Sequence, residues 1–272
     1  MVPARPIGRL RSRGVGGDPM HRVHFVLDRQ YLLSPSHYET GSLGDPDIAW
    51  PDDVGMATWI NRTFFHLRDA GLEASISDRC EPDAINVSHY DYPSLRGRPH
   101  DTFQVIIRAD RGAPFRADYV IRQRQADVTG PRWAGVTHWP QRGIRQRDPA
   151  RGTAIEVVGY KGRLANLDER FRTDAFRDAL ASRGISLRLE TDGGLSATGW
   201  ADYRDTDLVL AARNLAASDA QEKPASKLVN AWLADVPALL GPEPAFRDLA
   251  RGPLDYIEIR RPEEVLEAID AM

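Results

Sequence analysis

The chain has 272 residues, of which 42% are hydrophobic and 28% charged, and its net charge is -3. That length can bury one large core or two modest ones without staples, and the charge balance offers no excess of cations to hold a nucleic-acid backbone. The single cysteine, Cys80, cannot close an internal disulfide and has no neighbouring ligands for a zinc site. No apolar run approaches the ~20 residues of a membrane span, so any membrane contact would be peripheral to a cytoplasmic protein.

Residues 1–20 carry Arg5, Arg9, Arg11 and Arg13 but no apolar segment of a secretory signal. They read as a disordered extension ahead of a second methionine, Met20. The first strand is expected at Val23 to Leu27, followed by a loop rich in Ser, Gly, Pro and Asp that runs to Asp53. Ala57, Ile60, Phe64 and Leu67 then fall on one helical face, and Gly71 suits the C-terminal cap. Strand-like runs follow at Leu72 to Ile76, Asp83 to Val87, Phe103 to Ile107 and Tyr119 to Ile121. Strand, helix, strand in this order predicts a parallel sheet.

Between Gln125 and Gly152 the periodicity stops among Pro131, Pro140 and Pro149 and four glycines, which reads as a linker. The predicted organisation is therefore an extension (1–20), a first α/β domain (21–130) and a second (131–272). In the second, strands are expected at Ala154 to Val158, Ile185 to Leu189, Leu208 to Ala211, Ala238 to Leu240 and Tyr256 to Ile259. Helices are expected at Asp168 to Ala181, Pro224 to Ala234, Pro244 to Ala250 and Pro262 to Ala271. Such regular alternation predicts a doubly wound sheet.

The best-defined chemical element is the helix beginning at Pro224. Ala225, Leu228, Val229, Trp232 and Leu233 have the spacing of a face packed on one side, which leaves Ser226, Lys227 and Asn230 on the other. The free N–H groups of its first turn form an anion site. The chain has 33 arginines and only three lysines, Lys161, Lys223 and Lys227, and all three fall in candidate phosphate loops. Lysine there would supply a compact ammonium rather than a planar fork. The run Val157 to Arg163 holds Gly159, Lys161, Gly162 and Arg163 after a strand, where glycine lets backbone N–H groups approach phosphate. Arg213, beyond the strand Leu208 to Ala211, would face the same sheet edge, although a surface ion pair explains it equally well. Two Asp-x-Asp triplets, Asp45-Pro46-Asp47 and Asp205-Thr206-Asp207, are short acidic loop signals with a high chance frequency, and neither is taken as a metal site.

The run Lys223-Pro224-Ala225-Ser226-Lys227-Leu228-Val229-Asn230-Ala231-Trp232, followed by Val236-Pro237-Ala238-Leu239-Leu240-Gly241, resembles the donor-site segment of GT-B glycosyltransferases. The resemblance covers residues 130–272, and the first half only by its layout. It implies two Rossmann-like domains facing each other across a cleft, with a nucleoside diphosphate sugar held by the C-terminal one. Ser226 and Lys227 would contact the diphosphate, with Lys223 beside them, and Asn230 would stand where many members place a glutamate on the donor ribose. The Gly159 to Arg163 loop resembles the family's glycine-containing loop near the phosphates. Such enzymes work without a metal or other cofactor, because a helix dipole and cationic side chains stabilise the leaving diphosphate.

A hydroxyl acceptor, whether glycan, lipid-linked or small molecule, would then bind the first half; all seven histidines lie before residue 139. For an inverting transfer the candidate bases are His37, Glu39, His100 and Asp101, while His24, inside a strand, reads as structural. The competing readings are a non-catalytic nucleotide-sugar binding protein, and an epimerase or hydrolase on the same scaffold.

Overall fold

A computed structural model describes residues 22–45, 48, 50, 55–92, 102–114, 116–190 and 199–272. The expected N-terminal extension lies outside them. Six parallel strands form the first sheet: β1 (Arg22–Val26), β2 (Ala74–Ser77), β3 (Ala84–His89), β4 (Phe103–Ile107), β5 (Tyr119–Arg122) and β6 (Trp133–Gly135). Their order is β2-β1-β3-β4-β5-β6. β6 pairs with β5 and falls inside the expected linker, so the first sheet continues past residue 130. The expected loop before Asp53 contains a short helix, α1 (Pro35–Thr40), before the longer α2 (Gly55–Asp69). Gly71 closes α2 with a positive φ of 76°, as its place after the last helical turn requires.

Strand alternation separates the two faces of this sheet. Phe25, Val87 and Val105 stand in register on the side where α2 buries Trp59, Ile60, Phe64 and Phe65. His24, Asn86 and Gln104 stand in register on the other side, and all three are buried. Burial of such a polar row is tolerated only when its groups are bonded. β2 and the β2–β3 connection supply most of the partners. His24 bonds the hydroxyls of Ser75 (2.7 Å) and Ser77 (3.0 Å) and donates to the Arg79 carbonyl (2.9 Å). Asn86 accepts from Glu81 N–H (2.8 Å) and donates to the Glu81 carbonyl (2.9 Å). His24 is therefore a structural histidine.

The second sheet is also parallel, with β7 (Val157–Lys161), β8 (Ser186–Glu190), β9 (Leu208–Ala211), β10 (Ala238–Leu240) and β11 (Ile257–Glu258) in the order β11-β10-β9-β7-β8. Helices cover both faces, which is why β9 and β10 are apolar at every position and β7 at all but its last, Lys161. Val158, Leu208 and Leu210 pack under α3 (Asp174–Ala181) and α7 (Pro262–Asp270). Val209, Ala211 and Leu240 pack under α5 (Ser226–Leu233) and α6 (Pro244–Leu249). One further helix, α4 (Ala217–Glu222), has no counterpart in the sequence reading, because its Ala-Ser-Asp-Ala-Gln-Glu sequence has no apolar face.

α4 joins the two sheets. The Glu222 carboxylate lies between Arg108 (2.8 Å), which follows β4, and Arg122 (3.1 Å), which ends β5. Arg124 donates to the Gln221 carbonyl (3.0 Å) and pairs with Asp248 of α6 (2.6 Å). Gln123 donates to the Glu222 carbonyl at 3.3 Å. The last carbonyls of a helix lack internal partners, so donors from the first sheet satisfy them here.

Asp207, at the entrance to β9, shows why an Asp-x-Asp triplet need not signal a metal. Its side chain is 1% exposed, pairs with Arg147 and Arg151 (each 2.8 Å), and accepts from the backbone N–H groups of Glu156 and Val157 (each 2.9 Å). These bonds outweigh its burial and hold the carboxyl well below the usual carboxylate range. Asp47 of the other triplet lies outside the described residues. Asp207→Asn is expected to cost about 3–5 kcal/mol in urea unfolding, since it leaves two arginines facing a neutral amide. Because the folded value is depressed, the carboxylate's contribution is complete above the unfolded value of about 3.9 and is lost as pH falls through the folded one. The variant should therefore lose that part of the acid dependence.

Candidate functional site

Open parallel sheets bind ligands beyond the carboxyl ends of their strands, where the strand order reverses. The first sheet reverses between β1 and β3, and the second between β7 and β9. At the first reversal lies a cavity of about 510 Å³. Asp28 follows β1 in its wall, His89 ends β3, and Ala109, Asp110 and Arg111 follow β4. Trp59 comes from α2 and His138 from the segment after β6, while Pro224 closes the wall from the second half of the chain.

The two histidines are held in opposite tautomers. His138 Nδ1 lies 2.6 Å from the Trp139 carbonyl oxygen. A carbonyl can only accept, so Nδ1 carries the hydrogen and Nε2 keeps a lone pair. The ring meets Trp59 edge-on at 5.2 Å between centroids, and the next residue anchors the segment by a 2.9 Å bond from Trp139 Nε1 to the Thr63 hydroxyl of α2. His89 Nδ1 instead accepts from the Asp91 N–H at 3.1 Å, which places the hydrogen of the neutral ring on Nε2. Burial lowers the pKa of both rings, and that of His89 is pushed down to about 4. Among the described residues neither Nε2 has a hydrogen-bond partner.

At the second reversal α5 begins without a side-chain cap, Ala225 occupying the cap position. Its first-turn N–H groups therefore carry the positive end of the helix dipole uncompensated by a side chain. Lys227 lies in that turn with Nζ 5.6 Å from the centre of the Tyr160 ring. A Cβ added at Gly162 would stand 2.9 Å from Nζ, and Gly162 has a φ of 151°, so glycine both admits the ammonium and permits the backbone turn. Among the described residues no carboxylate or hydrogen-bond acceptor pairs with this ammonium. The Lys227 side chain is half-buried, and this burial together with the positive charges of Arg213 and Lys161 pushes its pKa down to about 7. Glu243 lies beside it, 3% exposed, with Oε2 bound to Arg213 (2.8 Å) and Oε1 buried without a partner. Burial raises its pKa.

The structure redistributes the residues expected from sequence. Gly159 is a buried residue inside β7, where a Cβ would strike Thr206 Cγ2 at 2.8 Å, so it serves packing, and Gly162 takes the place near the ammonium. Lys161 is buried and spent on Glu190 and the Asp202 carbonyl (2.5 Å), under the Tyr203 ring. Arg213 is spent on Glu243, and Lys223 on Asp110 of the first half (2.7 Å). Asn230 is buried, accepts from Gln141 N–H (2.9 Å) and bonds Tyr203, so it fastens the segment after β6 to α5. Arg163 is exposed at the turn after β7. Ser226 and Lys227 stand in the first turn of α5.

On the first half, His37 and Glu39 belong to α1 and do not line the cavity; Glu39 borders a separate groove beside β2, because α1 packs on the outer part of α2. His100 and Asp101 lie outside the described residues. His89 and His138, and not His37 or Glu39, are among the titratable groups that line the cavity. His138 falls in the stretch read as a linker, where two of the chain's six tryptophans, Trp133 and Trp139, were the available sign of packed structure.

Among the described residues no three His, Cys, Asp or Glu side chains are grouped as metal ligands, and no helix is long and apolar enough to cross a membrane. Compared with protein-family models and with curated proteins, the chain matches none.

In an NMR titration His89 should stay neutral through pH 5 and titrate near 4. Its folded value lies below the unfolded ~6.5, so it contributes stability that is complete above that pH and declines as pH falls toward 4.

Proposed function

We propose that the protein is a metal-independent glycosyltransferase of the GT-B type, moving a sugar from a nucleoside diphosphate sugar to a hydroxyl acceptor. The observation that carries the reading is Lys227: an ammonium without a partner among the described residues, in the uncapped first turn of α5, at the strand reversal of a doubly wound sheet. A diphosphate supplies what this edge lacks. Its oxygens accept from the first-turn N–H groups, and its charge answers both the ammonium and the helix dipole. In transfer, negative charge grows on the diphosphate as the bond to the sugar breaks, and the same groups stabilise it. The cavity at the first sheet's reversal faces this edge through Pro224 and supplies the acceptor side. In this reading the two Rossmann-like sheets are the two domains, and the cleft lies between their carboxyl edges.

Thermal unfolding with UDP, GDP, ADP, CMP and dTDP tests the reading. One nucleotide at ~100 times its dissociation constant should add ~2.7 kcal/mol. Lys227→Ala should abolish that shift while leaving the free protein folded. No shift from any nucleotide at millimolar concentration would remove the support for a donor site. Binding with no sugar transfer to any acceptor would instead favour a non-catalytic binding protein.

The depressed value of Lys227 predicts a pH dependence. The ammonium is charged below about 7 and neutral above it, so nucleotide affinity should fall as pH rises beyond that point. Bound diphosphate itself favours the charged form and moves the fall upward. Lys227→Arg keeps its charge throughout, and in isothermal titration its affinity should be flat between pH 6 and 9 if the positive charge is what binds.

A further inference from the structure

Of the three carboxylates on the cavity wall, Asp91 and Asp110 are matched by cations, whereas Asp28 has a backbone partner and, among the described residues, no cationic one. Asp91 accepts two bonds from Arg111 (each 2.8 Å), Asp110 takes one each from Arg111 (2.9 Å) and Lys223 (2.7 Å), and Asp28 accepts from Gln30 N–H (3.1 Å). Among the described lining residues no cation is left to neutralise an anionic ligand. What the wall does offer is two neutral imidazoles, one with Nε2 as donor and the other with Nε2 as acceptor. A hydroxyl group answers both, since its oxygen accepts while its hydrogen is donated. Tyr31, Met56 and Trp59 add apolar surface beside these polar groups, a combination suited to a sugar ring, with its apolar faces and hydroxylated rim.

We propose that this cavity holds the acceptor, that the acceptor is an uncharged glycoside, and that His138 Nε2 takes the proton of its attacking hydroxyl while His89 Nε2–H holds the same oxygen. The inference rests on the sugar-transfer reading and adds to it the acceptor class and the base. In the step, the O–H bond breaks and its proton passes to His138 Nε2. The acceptor oxygen forms the new bond to the anomeric carbon, and the bond from that carbon to the diphosphate oxygen breaks with its electron pair leaving on the nucleoside diphosphate. The imidazolium then releases its proton to water. One displacement of this kind inverts the anomeric centre.

The first test needs no turnover. Imidazole ¹⁵N–¹H spectra of the full chain at pH 7 should show His138 as the Nδ1–H tautomer and His89 as the Nε2–H tautomer. Methyl glycosides of glucose, galactose, mannose and N-acetylglucosamine are then added, with glucose 6-phosphate in parallel. At least one neutral glycoside should perturb both Nε2 signals at lower concentration than the phosphorylated sugar. The proposal is overturned if His138 carries its hydrogen on Nε2 or is charged, if the phosphorylated sugar acts first, or if no glycoside perturbs either ring.

The second test uses the nucleotide sugar whose nucleotide stabilises the protein and the glycoside found above. His138→Gln should lower kcat by ~10²- to 10⁴-fold with a much smaller change in the glycoside KM, and should retain stabilisation by the nucleotide. His89→Ala should raise the glycoside KM, and His89→Asn, which restores a donor, should recover part of the loss. Wild-type kcat in His138→Gln would refute its role as base. A protein that binds the glycosides but no nucleotide would instead sink the donor reading, so the two failures are distinct.

Discussion

The arrangement of the site depends on the Glu222 carboxylate held between Arg108 and Arg122. These arginines leave the carboxyl ends of β4 and β5, and both are 11% exposed, so each would be a costly charge without its partner. Glu222 ends α4, and Lys223, Pro224 and α5 follow at once. One ion-pair cluster thus fixes where α5 begins relative to the first sheet. Arg124, through the Gln221 carbonyl and Asp248, and Lys223, through Asp110, repeat the fastening on either side. The pairs are only partly exposed, which limits their screening by salt compared with surface pairs.

Against this background the state of Lys227 stands out. Arg213, Lys161, Lys223, Arg108 and Arg111 all end on carboxylates. Lys227 does not, among the described residues, and Gly162 leaves room for its ammonium where any side chain would crowd it. A half-buried cation without a bonded counter-charge costs stability, and its depressed pKa has the same cause. The expense is accounted for if an anion completes the site. Glu243, protonation-prone and with one free oxygen, moderates the local field without cancelling it.

Much of the second half was legible in the sequence because its strands are buried on both faces and its helices are amphipathic, so apolar runs and helical spacing marked nearly every element. The α5 segment was legible as a helix with Ser226 and Lys227 in its first turn, but its packed face was not: Trp232 and Leu233, expected in that face, are exposed, while Asn230, expected opposite it, is buried. What the sequence could not carry was the pairing of charges. Lys161 and Lys227 look alike in a list of lysines, yet one reaches Glu190 and the other reaches no carboxylate among the described residues. β6, α4 and His138 were missed for a related reason: Trp133–Gly135 is short, α4 has no apolar face, and His138 owes its position to Trp59 and to Trp139 on Thr63. Such long-range contacts leave no local periodicity. Of the candidate bases, His37 and Glu39 stand away from the cavity because polar loop character marks exposure rather than proximity to it.

The most direct test of the central claim is a crystal structure of the protein with the nucleoside diphosphate that stabilises it. The account predicts diphosphate oxygens within hydrogen-bond distance of Lys227 Nζ and of the first-turn N–H groups of α5, beside Gly162. A diphosphate bound elsewhere, with Lys227 untouched, would contradict it.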